Sequence, residues 1–399
     1  MMIAIRDNTN NIRLTTAKMI AIVILIMVFI ALLPISFNTH AGICATMISA
    51  DKLPTILDFK QSNQTFAHNF RTWETAAADL DSDGDIDLVF ASMDSPSHIL
   101  FNDGKGNFIT SEQTCPDRMH GIAIGDLDLD GDQDLFFAPI EDNMPGPVYL
   151  NNGQGLFQQS NLDLVLEASE VIQLVDIEND GDLDAYLWYR NILCLNDGRG
   201  NFQKGTLPIS GTFIFADING DGFVDAIGVH WNKGFDIYLN DTKGNFEFFY
   251  SYPDEGVTIC AIDFCDIDSD GDNDLIYSGN VEGEIKPGGI LINDGSGKFT
   301  DSGQRLPNVV FGYIGIGDLN NDTKMDLVIT NREGPASIWL NNGRGQFIDS
   351  GIRLGDGKNW NNCILADFDN DGDIDIFMTK CTTGNHGLWF NQLISDSKK

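Results

Sequence analysis

"DLDSDGDIDLVF" (Asp79–Phe90) sets five carboxylates within nine residues and then turns apolar. Charges at that density repel one another, and the run beside them reads as a buried strand. The stretch returns as "DLDLDGDQD" from Asp126, "DIENDGDLD" from Asp176, "DINGDGFVD" from Asp217, "DIDSDGDND" from Asp266, "DLNNDTKMD" from Asp318 and "DFDNDGDID" from Asp367. These seven copies lie 41 to 52 residues apart, the spacing of a repeat architecture.

A second phrase recurs between them: "LFNDGKGNF", "YLNNGQGLF", "CLNDGRGNF", "YLNDTKGNF", "LINDGSGKF" and "WLNNGRGQF". Each reads as an apolar strand, a tight glycine turn and another strand. A unit therefore holds four strands: A before the acidic loop, B after it, C before the glycine turn and D after it. Helical periodicity is absent from the region after the N-terminal segment. The expectation is an all-β, seven-bladed propeller over residues 56–394 with four-stranded blades. After the seventh loop the chain supplies "DIDIFMTK" and "HGLWFNQ" but no strand D. "DFKQSNQTFAHNF" precedes the first loop, with Phe66 in the place of the phenylalanine that follows each glycine turn. The N-terminal strand is thus expected to complete the last blade, which removes the open ends of an array.

The formal net charge is −35, from 59 acids and 24 bases, with no basic stripe, which excludes nucleic acid and anionic membrane surfaces as partners. Hydrophobic residues make up 42%, enough for a large core. Arg6, Arg13 and Lys18 precede the apolar run Met19–Ile35, and Thr39 and Ala41 sit at −3 and −1 of a cleavage site. Residues 1–41 read as a signal peptide, with an uncleaved membrane anchor as the alternative, 42–55 as a linker and 395–399 as a tail. A secreted, periplasmic or cell-surface location follows, with contact to a membrane only through an uncleaved N-terminal segment. Seven cysteines are too sparse for a disulfide scaffold. Cys363 and Cys381 flank one hairpin and could pair, whereas the odd spacing of Cys260 and Cys265 sends them to opposite faces.

In the acidic copies, Asp-x-Asp/Asn-x-Asp-Gly-x-x-Asp offers oxygen at positions 1, 3, 5 and 9 and a carbonyl at 7. Hard oxygen donors on a sharply turning loop suit Ca²⁺, and glycine at position 6 permits a positive φ. An EF-hand would need glutamate at position 12, where Phe90 and Phe137 stand. Up to seven ions are expected. The copy at Asp217 has only three carboxylates plus Asn219, and the copy at Asp318 replaces the glycine with Thr323 and position 7 with Lys324, so these two should bind more weakly.

These residues resemble the FG-GAP/VCBS calcium-loop repeats, a family that includes the integrin alpha-chain propeller and certain fungal propeller lectins. The resemblance covers roughly residues 56–394. It implies metal contacts from Asp79, Asp81, Asp83, Asp85 and Asp87; Asp126, Asp128, Asp130, Asp132 and Asp134; Asp176, Glu178, Asp180, Asp182 and Asp184; and Asp217, Asn219, Asp221, Phe223 and Asp225. The remaining copies supply Asp266, Asp268, Asp270, Asp272 and Asp274; Asp318, Asn320, Asp322, Lys324 and Asp326; and Asp367, Asp369, Asp371, Asp373 and Asp375. The seventh position in each set acts through its carbonyl.

Antiparallel geometry puts the A–B and C–D turns on one side of the ring and the B–C and D–A links on the other. The second side varies between blades, and variable loops on a rigid scaffold are where ligands bind. Trp73, His120, Trp188, Arg190, Trp231, Tyr313, Arg332 and Trp360 are the candidates there. Aromatic rings beside amides or cations suit sugar faces, and the alternative is that they pack between blades. No nucleophile elbow, zinc-protease helix or phosphate loop is present. The reading is a recognition or adhesion module for a glycan or an extracellular protein. A lyase acting on acidic polysaccharide, through Lys233, Arg190, Arg332 and Lys358, is the alternative.

Overall fold

Thr72–Ala78 and Asp87–Ser92 form an antiparallel hairpin around the first acidic loop, and His98–Asn102 and Phe108–Thr110 extend it to four strands. This computed structural model describes residues 57–393 apart from 67–70, 114, 161–163, 170, 208, 210, 231–233, 253–258, 280–286, 308, 310–311 and 383–384. The chain divides into residues 1–36 and 37–399, and every described residue belongs to the second unit. The expected signal peptide or anchor, linker and tail lie outside the described residues, as does Trp231.

Seven four-stranded antiparallel sheets follow one another. Their A strands are Thr72–Ala78, Met119–Gly125, Ile172–Val175, Thr212–Ala216, Ile259–Cys265, Ile314–Gly317 and Trp360–Ala366. The chain is an all-β, seven-bladed propeller. A two-stranded ribbon, Met144–Pro145 with Val165–Leu166, decorates blade two, and a 3-10 turn spans Trp188–Arg190. Among the described residues no helix is long and apolar enough to cross a membrane.

The B strands are unbroken apolar runs because both faces of a blade are covered by its neighbours. Leu88, Val89, Phe90 and Ala91 are all 0% exposed. Ala123, Phe136 and Val148 of blade two pack on Leu174, Ala185 and Leu187 of blade three, and each buried valine, leucine or phenylalanine contributes about 1.5–3 kcal/mol. Outer D strands alternate instead, as Phe347–Leu354 does between buried Phe347 and exposed Ile348.

The N-terminal segment closes the ring: Phe59–Gln61 is the outer strand of blade seven, paired with Gly387–Asn391. The register corrects one expectation. Phe59 stands opposite Asn391 as Phe108 stands opposite Asn102 and Phe347 opposite Asn341, so Phe59 is the repeat phenylalanine. Phe66 lies further along, 1% exposed, edge-on between Phe108 at 5.7 Å and Phe377 at 5.1 Å. Cys363 and Cys381 form no disulfide. Cys363 stands opposite Met378, three residues short of Cys381, and the two thiols approach different carbonyls, those of Val328 and Asn359.

Candidate functional site

The nine-residue loops share one frame. Position 2 is an apolar anchor (Leu80, Leu127, Ile177, Ile218, Ile267, Leu319 or Phe368), at most 3% exposed. Position 9 begins strand B, and its carboxylate accepts two backbone N–H groups. Asp87 takes those of Leu80 at 2.9 Å and Asn102 at 2.8 Å. Asp134, Asp184, Asp225, Asp274, Asp326 and Asp375 do the same, all within 2.7–3.2 Å. At position 1, Asp79 accepts from Asp83 N at 3.2 Å and Gly84 N at 3.0 Å, wrapping the loop around its own carboxylate. Position 6 has the expected positive φ. Position 4 shares it, from Asn179 at 57° to Gly220 at 72°, which the glycine pattern did not reveal.

In four blades this frame converges carboxylates: Asp79, Asp81 and Asp87; Asp126, Asp128 and Asp134; Asp266, Asp268 and Asp274; Asp367, Asp369 and Asp371. In each set the ligand atoms lie within 4.8 Å of one another. At position 3 of the same four blades, one oxygen of Asp81, Asp128, Asp268 and Asp369 is buried with no hydrogen-bond partner; in blade three such an oxygen belongs instead to Asp182 at position 7. A buried, unpartnered carboxylate oxygen among other carboxylates fits a hard dication. Burial, followed by neighbouring charge, pushes Asp369 up to about 6. Burial also pushes Asp87 up to about 7 against its two N–H donors, and Asp375 up to about 8. These loops are costly to ionise without a cation.

Blades three, four and six bring no such triad together among the described residues. Asn219 and Asn320 explain blades four and six. In blade three Glu178 is one methylene longer than aspartate, a consequence the sequence did not announce. Position 7 directs its side chain away from the loop and onto the glycine turn. A Cβ at Gly104 would lie 2.6 Å from Asp85 Oδ2, and one at Gly153 would lie 2.6 Å from Asp132 Oδ1. The two repeated phrases of the sequence are thus complementary parts of one surface.

The asparagine ending each C strand was not singled out, although it recurs in all seven units. In six of the seven its amide reaches the position-2 carbonyl of the preceding blade, as Asn151 does to Leu80 at 2.8 Å, Asn196 to Leu127 at 2.9 Å and Asn293 to Ile218 at 2.7 Å, whereas Asn240 bonds Val224 of its own blade. Asn102 reaches Phe368 across the closure at 2.9 Å. Loop side chains join directly as well, Asn370 to Asp85 at 2.6 Å and Asn321 to Asp373 at 2.7 Å.

On the opposite face the candidates part company. Trp73, His120 and Arg332 come together from blades one, two and six. The rings of Trp73 and His120 are 4.8 Å apart, and the Arg332 guanidinium lies 4.6 Å over Trp73. Asn361 ties them, accepting from Arg332 at 2.7 Å and donating to the Trp73 carbonyl at 2.7 Å. Burial, then the Arg71 charge, pushes His120 down to about 4. Trp188 is half-buried against the blade-three core, Arg190 pairs with Asp142 at 3.2 Å, and Tyr313 N donates to Thr330. Trp360 is 2% exposed and meets Trp389 edge-on at 5.4 Å. These two tryptophans line a cavity of about 530 Å³ between blades six and seven, with Phe59, Arg353, Asp356, Lys380 and His386. Arg190 and Arg332, proposed for an acidic polysaccharide, are not brought together: each is held by a different partner, Asp142 and Asn361.

A family model described as an FG-GAP-like repeat matches residues 79–137, 217–277 and 318–378. Three segments of the chain thus match FG-GAP-like repeats. Each FG-GAP-like match runs from one acidic loop through the next, and the loop left between matches is that of blade three, where Glu178 departs from the pattern. Two crystal structures of BBS1N in complex with ARL6DN resemble the fold. The mercury-soaked one has a TM-score of 0.53 at 10% identity, over 86% of this chain and 99% of that one. The lead-soaked one has 0.52 at 9%, over 84% and 96%. At that identity the likeness concerns the fold alone. A search of curated proteins finds no match.

Proposed function

We propose that the protein is an exported recognition module, a calcium-clamped propeller that holds a glycan on the face opposite its acidic loops. The cavity between blades six and seven carries this reading. Its volume of about 530 Å³ suits one or two sugar rings, and its two tryptophans are accompanied by a few polar groups, Gln61, Asp356, Lys380 and His386. Sugars present apolar faces and hydroxyl edges, which such a lining matches. Because the B–C and D–A links differ from blade to blade, the reading is of one site rather than a ring of equal ones.

Calcium, when bound, would supply positive charge that neutralises the loops and clamps each A–B turn. The carboxylates of Asp79, Asp81 and Asp87, their counterparts in blades two and five, and Asp367, Asp369 and Asp371 in blade seven would hold it. Export rests on the Met19–Ile35 run and its basic flank, and it places the loops where calcium is near millimolar.

A protein partner is the second reading. The similar BBS1N propeller was solved in complex with ARL6DN, and the Trp73–His120–Arg332 cluster lies on the same variable face as the cavity. A glycan array with the protein in calcium and again in EDTA tests the first reading. Calcium-dependent binding to a defined sugar, lost when Gln61→Trp fills the cavity, is the expected result. Silence from protein that circular dichroism shows to be folded would overturn it in favour of a protein partner.

A further inference from the structure

Lys380 ends strand B of blade seven at the wall of the cavity, with a side chain only 13% exposed. Its ammonium lies 4.5 Å over the Trp360 ring and 2.8 Å from Asp356 Oδ2. The lysine backbone is fixed too, since Lys380 N donates to His386 Nδ1 at 3.1 Å. An ammonium withdrawn this far from water needs an anion beside it. Among the described residues that anion is Asp356, which is itself 59% exposed. Asp356 belongs to the D–A link, between Gly355 at φ +84° and Gly357 at φ +73°. A recessed cation is therefore matched by a carboxylate from a surface loop with glycine on either side.

The lining is out of character for the chain. Acids outnumber bases 59 to 24 overall, yet the cavity is lined by two cations, Arg353 and Lys380, and one acid, Asp356. Arg353 is forked onto Asp349 at 2.6 and 2.8 Å, which leaves Lys380 as the cation whose partner can be exchanged. An ammonium has three donors, and its ring contact holds it in place while partners change.

Resting on the glycan reading above, we propose that the cavity takes a sugar bearing a carboxylate, with Lys380 as its anchor and Asp356 as the internal carboxylate that the ligand displaces. The mixed lining of tryptophan, amide and cation would grip the ring, and the charge would select the acid.

Titration calorimetry of the full chain in calcium with glucuronate, its neutral methyl ester and glucose provides the test. Glucuronate is expected to bind at least tenfold more tightly than either neutral sugar. Lys380→Met should erase that preference while leaving weak binding of all three. Asp356→Asn, at an exposed position, should tighten glucuronate several-fold, because the competing carboxylate is gone. Equal affinity for glucuronate and its methyl ester, or a preference that survives Lys380→Met in protein with a normal melting curve, would overturn the acid selectivity and leave the glycan reading standing. Absence of binding by all three sugars and by a broad glycan array would overturn both.

Discussion

Gln304 of blade five doubles as a piece of backbone for Phe347 of blade six: its Nε2 donates to the Phe347 carbonyl at 2.6 Å and its Oε1 accepts the Phe347 N–H at 2.8 Å. Gln64 brackets Phe108 in the same way. The amide thus satisfies the first residue of an outer strand on the edge that faces the preceding blade. Gln304→Ala strands both backbone groups of Phe347 and should lower stability by about 1–3 kcal/mol in urea denaturation. Gln304→Glu, which keeps the acceptor and removes the donor, should do almost as much harm. An unchanged midpoint in both variants would show that these brackets are incidental.

Metal content separates the blades. Four loops combine converged carboxylates with an unpartnered buried oxygen, so inductively coupled plasma analysis after dialysis against calcium near the affinity of these sites should count about four bound ions, not seven. Asp81→Asn should remove one. Glu178→Asp, which shortens the blade-three side chain by a methylene, should add one. At millimolar calcium each extracellular-type site contributes about 0.4–1.4 kcal/mol, so four contribute about 2–6 kcal/mol. EDTA should therefore lower the melting temperature sharply, and a melt indifferent to chelation would dismiss calcium from the loops.

His120 supplies a pH signature. Burial and the Arg71 charge hold it at about 4, below the ordinary imidazole value near 6.5, so the folded protein favours the neutral ring. The associated stability is complete above pH 6.5 and is lost as pH falls towards 4, by about 3 kcal/mol in all. Unfolding free energies measured from pH 7 to pH 4 should fall more steeply for the natural chain than for His120→Gln. Parallel curves would mean that the ring protonates without cost.

Two glycines one turn apart should respond differently. Gly84 has φ +94° and open space where a Cβ would stand, so Gly84→Ala meets backbone strain alone, about 1 kcal/mol. Gly104 has φ +68°, and its added Cβ would press on the Asp85 carboxylate and the Asn370 amide. Gly104→Ala should cost clearly more than Gly84→Ala and should also weaken metal retention in blade one. Thermal melts in calcium rank the pair, and equal losses would refute the packing role of the glycine turn.

The blades were legible because their signal is repetition. Seven acidic phrases and their glycine turns fix strand order with no knowledge of contacts, and the chain's missing last strand D pointed to its beginning. The register was harder. Phe59 and Phe66 both follow polar residues, and only pairing with Asn391 distinguishes the strand residue from the one that plugs the space beside Phe377. The loop ligands were legible as a class, but ranking the blades depended on where an oxygen ends up. The extra methylene of Glu178 looks conservative in sequence. The variable face was least legible, since its contacts join distant parts of the chain. Arg332 lies over Trp73 from five blades further along, and nothing near either residue specifies the other. Trp360 was read as a surface aromatic from its neighbours Asn359 and Asn361, yet its ring faces inward onto Trp389.

The closure of blade seven also sets an order of events. Phe59–Gln61 is made before every other described strand, and its partners Trp389–Asn391 belong to the last of the described strands. Six blades can pair from local hairpins while the chain is still growing, but the seventh must wait until Trp389–Asn391 has been made. Until then its early strand is an unpaired edge, open to the wrong partner. The final step joins segments separated by nearly the whole domain and should be the slow phase of refolding. Whatever escorts the growing chain would therefore have one short segment to guard, and it precedes all seven acidic loops.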